Sequence, residues 1–88
     1  MSVYMVERDL PGISMEQLAG AQKAAIETSD QFAAEGKQVR YLRSMFVPGE
    51  AKCMCLFEAG NPEVVRDVND TAHIPYTRIV EALDLPRP

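Results

Sequence analysis

No apolar run in this chain approaches the ~20 residues that a membrane-spanning helix requires, and the opening "MSVYMVERD" lacks the charged-then-apolar layout of a secretory signal. A membrane partner is therefore not expected, and a cytoplasmic location is. Basic residues are the minority: nine Lys and Arg stand against thirteen Asp and Glu, a net charge of -4, and the basic ones are scattered singly. Such a surface repels phosphate backbones, which argues against nucleic acid as a partner. There is one histidine and there are two cysteines, too few for a disulfide framework. Cys53 and Cys55 sit at i and i+2 of one strand, point the same way and are poorly placed to bond to each other. They read as free thiols of a reducing compartment. The familiar catalytic and cofactor signatures are missing too, with no C-x2-C pair, H-E-x-x-H, Walker or dinucleotide fingerprint.

What is present is the balance of a folded domain: 47% of residues are apolar and 25% charged. At 88 residues the chain reads as one domain, 1–88, of a size at which burial is limited and a partner subunit would help. "SVYMVERD" alternates like a strand and "LPG" breaks it. Ser14 with Gln17 forms a capping-box signature, and Leu18, Ala21, Ala25, Thr28 and Phe32 recur at helical spacing up to Gly36. "QVRYLRSMFV", "PGE" and "AKCMCLFEA" make a β-hairpin over residues 38–59. Asn61-Pro62 opens a second helix with Val64, Val65, Val68 and Ala72 inward, Pro75 ends it, and "YTRIVEALDL" reads as a last strand. The order βαββαβ predicts an α+β, ferredoxin-like fold, a four-stranded antiparallel sheet with two helices on one face and the other face open.

Alternation without bulges assigns Tyr4, Val6, Phe46, Met54, Leu56 and Val80 to the helix-covered face. The open face then collects Met5, Glu7, Val39, Tyr41, Arg43, Cys53, Cys55, Phe57, Ile79 and Glu81. Two copies packed through such a face would form a homodimer enclosing a site for a small molecule or a metal ion. The ligand-binding candidates are Glu7, Tyr41, Arg43, Cys55 and Glu81. Glu7, Cys53, Cys55 and His73 are candidates for a metal site, because a C-x-C pair can place two sulfurs on one ion and sulfur with imidazole suits soft or borderline metals. Glu7, Arg43 and Glu81 would otherwise form an ion-pair network, and the cysteines would otherwise be small packing residues. The runner-up reading of function is a cofactor-free enzyme of the dimeric-barrel type with Glu7 or Glu81 as a general base raised by burial.

"YMVERDLPG", "CLFEA" and "IPYTRIVEALDL" resemble, in that order and over almost the whole chain, a family of small bacterial ferredoxin-like proteins of unknown function. The family includes nickel-binding, nickel-responsive dimers. Glu7, Cys55, Glu58, Pro75 and Glu81 fall on its recurring positions. The resemblance implies a homodimer and a transition metal such as nickel as ligand, although the metal-binding relatives carry a further histidine near Val68 and Asn69. It extends to dimeric α/β-barrel proteins, among them small monooxygenases and isomerases, an analogy of fold alone.

Overall fold

The computed structural model describes all residues, Met1–Pro88. The elements run β1 (Ser2–Asp9), α1 (Met15–Ala34), β2 (Val39–Val47), β3 (Lys52–Ala59), α2 (Pro62–Thr71) and β4 (Arg78–Ala82). They form one antiparallel sheet in the order β2-β3-β1-β4, with β1 and β3 central. This is the ferredoxin-like α+β plan that the order of sequence signals predicts.

The helices begin where their caps dictate. Ser14 accepts from the Gln17 amide while the Gln17 side chain accepts from the Ser14 amide, so two otherwise orphaned donors are satisfied at the start of α1. Asn61 accepts from the Val64 amide, and Pro62 occupies the first position of α2, where no amide hydrogen is needed. On the sheet, Tyr4, Val6, Phe57 and Ala59 form a buried layer with Val65 and Val68 of α2 and Ala25 of α1. Tyr41 meets Phe57 edge-on at 5.5 Å between ring centroids.

The pairing corrects the bulge-free assignment of faces. Tyr4 lies opposite Phe57, Val6 opposite Cys55 and Arg8 opposite Cys53, so the cysteines and Phe57 point toward the helices. Ile79 and Glu81, opposite Val6 and Tyr4, share that side. Met54, Leu56 and Val80, expected in the core, point to the open face beside Glu7 and Met5. In β2 the register shifts between Tyr41 and Arg43, an irregularity at Leu42. Val39 and Tyr41 therefore share the helix side, and Arg43 and Met45 the open side.

One polar group in the core stands alone: the Ser29 hydroxyl of α1 is fully buried and has no hydrogen-bond partner. Ser29→Ala removes that orphan and improves helix propensity, so stability should rise by about 1 kcal/mol. For a domain of this size that is a melting-point increase of roughly 4–8 °C, read by calorimetry. An unchanged or lowered melting point would mean that the hydroxyl is satisfied.

Candidate functional site

The helix side and the open side of the sheet each gather part of the predicted set. Under α1, Cys53 and Cys55 are both buried, and their sulfurs lie 3.8 Å apart. Ser44, brought onto this face by the β2 irregularity, donates its hydroxyl to Cys55 Sγ at 2.9 Å. Ser44 also bonds the Tyr41 hydroxyl, which in turn accepts from Gln22 Nε2 at 3.0 Å. Beside the thiols is Arg8, only 2% exposed. Its guanidinium donates to Asn69 Oδ1 at 2.9 Å and to the Pro75 carbonyl at 3.2 Å, and no carboxylate ion-pairs with it. Asn69 is itself fixed by a bond from Nδ2 to the Val65 carbonyl at 2.8 Å. A small internal hollow of about 20 Å³ is lined by Arg8, Gln22, Ser44, Cys53, Cys55 and Ile74, among others.

Within this cluster the thiols are driven apart in acidity. Cys55 falls from an ordinary 9.0 to about 5: the hydrogen bond from Cys53 is the largest cause, burial opposes it, and the Arg8 charge and the Ser44 hydroxyl add to the lowering. Cys53 moves up, because it donates that bond and because burial disfavours a second negative charge. The pair is thus arranged to hold one thiolate and one thiol.

The other candidates lie elsewhere. Glu7 is on the open face, where its carboxylate bonds Arg78 at 2.9 Å and approaches Lys52 at 3.8 Å. It does not meet the cysteines, because the sheet lies between them. Glu81 is exposed on the edge strand β4, on the same side as Tyr4. His73 is exposed beyond α2 with a positive φ of 58°. Its amide bonds the Asp70 carbonyl and the next amide, of Ile74, bonds that of Asn69, the paired closure of a helix C-terminus. The convergence expected of Glu7, Cys53 and His73 is thereby corrected, and no three His, Cys, Asp or Glu side chains gather in a metal-binding group. Of the ligand-binding candidates, Tyr41 and Cys55 share the helix-side cluster, while Arg43 stands on the open face with Met5, Met45, Met54 and Leu56 around a hollow of about 330 Å³. Arg43 bonds Asp84 at 2.7 Å. Asp84 follows β4 and Arg43 belongs to β2, the opposite edges of the sheet, so the chain beyond β4 turns back across the open face. Arg8, Ser44 and Asn69 had no place among the candidates. The one signal in their favour was an arginine in the otherwise apolar inward series of β1.

A family profile described as "Nickel responsive protein SCO4226-like" matches residues 4–82. The crystal structure of SCO4226 from Streptomyces coelicolor A3(2) superposes with a TM-score of 0.80 at 22% identity, covering 96% of this chain and 100% of that one. That likeness is one of fold. No curated protein sequence matches the chain.

Three measurements follow. Because the folded pKa of Cys55 is depressed, its contribution to stability is complete above pH 9.0 and is lost as pH falls toward 5. Cys53, shifted upward, contributes below pH 9.0 and loses that contribution above it. The pair should therefore stabilise the fold most near pH 9.0 and progressively less toward pH 5. Thiolate absorbance near neutral pH should correspond to one thiolate per chain and vanish in Cys55→Ser. A parent with no thiolate absorbance there would contradict the arrangement. His73→Gly relieves a left-handed backbone at the helix end and should add about 1 kcal/mol in urea unfolding. A loss of stability would instead mean that the imidazole makes a contact of its own.

Proposed function

The chain belongs to the SCO4226-like family of nickel-responsive proteins, and from that membership we propose that it acts as a small cytoplasmic homodimer, one domain of the dimeric α/β-barrel type, that binds a small organic ligand against its open sheet face. The observation that carries this reading is the hollow of about 330 Å³ lined by Met5, Met45, Met54 and Leu56 with the Arg43–Asp84 pair at its edge. A few polar groups over an apolar floor, at the lower end of the roughly 300–1,000 Å³ range of ligand sites, is the chemistry that holds a mainly apolar molecule by one polar end.

A second copy of the chain is the occupant that this face suits. Strand spacing of about 4.8 Å and a rise of roughly 3.3 Å per residue give the four-stranded face a projected area of about 500 Å². Side-chain relief brings that toward the ~800 Å² per partner of a standard interface. The charges on the face already answer one another as Arg40–Glu58, Lys52–Glu7 and Arg78–Glu7, leaving the methionines and Leu56 between them. Burying such a face strands no isolated charge. Met45 on this face is 65% exposed in the lone chain and gains from cover.

Nickel finds no assembled ligand set within one protomer. Glu7 is held by Arg78 and Lys52, His73 closes a helix at the surface, and the thiols have a guanidinium beside them. No metal-ligand set is assembled at the open face within one protomer, and the ligand proposed for the hollow of about 330 Å³ is organic.

Sedimentation and native mass spectrometry test the reading together. The parent should be a dimer at micromolar concentration, carrying a small molecule released on denaturation. Met54→Lys puts a charge into the middle of the open face without touching the helix-side core, so it should give a folded monomer without that ligand. A parent that stays monomeric at high micromolar concentration, or a Met54→Lys protein that stays dimeric, would overturn the reading.

A further inference from the structure

We propose that Cys53 and Cys55 form a buried site for one soft monovalent cation of the copper(I) or silver(I) class, with Arg8 as its built-in counter-charge. The site lies on the helix side of the sheet and does not depend on the open-face reading above.

Three features of the cluster converge on it. The two sulfurs lie 3.8 Å apart at the wall of a hollow of about 20 Å³, a space for one water-sized body and too small for an organic substrate. An ion of this class held by two sulfurs alone prefers them nearly in line, so the pair, 3.8 Å apart, opens to receive it. A pair of thiolates is the donor set that selects soft ions such as copper(I).

Charge decides between ions of different valence. The Arg8 guanidinium is buried, bonds the neutral oxygens of Asn69 and Pro75 and faces the two sulfurs, so the only negative charge beside it is one carried by the thiols. Two thiolates on a monovalent ion make a unit of net charge -1, which that guanidinium neutralises. Two thiolates on a divalent ion make a neutral unit, leaving Arg8 uncompensated and repelling the ion in a medium of low dielectric. No third acidic or imidazole ligand is present to correct the balance for a divalent metal. Ser44 fixes the position of the Cys55 sulfur through its 2.9 Å bond, and exposed Gln22 borders the hollow on the α1 side, where an ion would enter. Binding exchanges the remaining sulfhydryl proton, that of Cys53, for the ion and releases it to solvent. No electron is transferred.

The test uses the full reduced chain without oxygen, titrated with copper(I) held by a chromophoric bathocuproine chelator and, in parallel, with nickel(II). One copper(I) per chain should be withdrawn from the chelator, the native mass should rise by one copper less one proton, and the melting point should climb with copper(I). Nickel(II) should do none of these. Cys53→Ser, nearly isosteric and checked for folding by circular dichroism, should lose copper(I) affinity by more than the roughly 10–100-fold that an outer-shell partner is worth. Cys55→Ser should do the same. Failure of the parent to compete for copper(I), equal binding by Cys53→Ser, or retention of one nickel(II) per chain would each overturn the proposal. Because Met54→Lys leaves the thiols untouched, it should bind copper(I) like the parent, which separates failure of this site from failure of the dimer.

Discussion

A guanidinium with no carboxylate partner, buried at the end of β1, is the constraint around which this small interior is arranged. Removing a charge from water costs several kcal/mol unless every donor is met, and Arg8 meets that demand with groups from three places in the chain. Asn69 of α2 offers its side-chain oxygen, the segment after α2 offers the Pro75 carbonyl, and β3 offers the sulfurs of Cys53 and Cys55. Asn69 can serve only because it is itself tied to the Val65 carbonyl one turn back. The helix must then end where it does. The αL turn at His73 carries the chain away from α2 and returns Ile74 to the core beside the same cluster.

This polar knot gives the two faces of the sheet different chemistry. On the helix side, hydrogen bonds run from Gln22 through Tyr41 and Ser44 to Cys55, which touches Cys53. A buried network of this kind is stabilising only when its members are all satisfied, and the lowered pKa of Cys55 reflects that satisfaction. On the open side the charges are ordinary surface pairs, each of small energetic weight, set around methionines and Leu56. The sheet lies between the two, so a ligand on one side touches none of the groups on the other.

Much of the fold was legible because its signals are local. Ser14 with Gln17, Asn61 with Pro62, and the "PGE" turn each specify a boundary within a few residues, and the capping bonds form as those residues dictate. The faces were less legible for a physical reason. In β3 both alternating sets are apolar, Cys53-Cys55-Phe57 on one side and Met54-Leu56 on the other, so hydrophobicity does not choose between them. The register is chosen by cross-strand neighbours that no local pattern encodes, namely Tyr4 against Phe57 and Arg8 against Cys53. The site shared that fate. Tyr41, Cys53 and Cys55 do come together, but with Arg8 and Ser44 rather than with Glu7, and His73 serves a helix end.

The irregularity at Leu42 shows how much one residue can decide. Uninterrupted alternation from Val39 would place Arg43 on the same side as Tyr41, beneath α1, and Ser44 on the open face. The extra residue reverses the strand beyond it, which puts Ser44 opposite Cys55 and Arg43 opposite Leu56. The hydroxyl that bonds the thiolate and the arginine that reaches Asp84 across the open face therefore depend on the same local insertion. Without it, a second guanidinium would enter the helix-side core, where the single Cys55 thiolate already faces Arg8, and repulsion between two buried cations would oppose folding. The bulge is thus a requirement of the charge balance that Arg8 sets up.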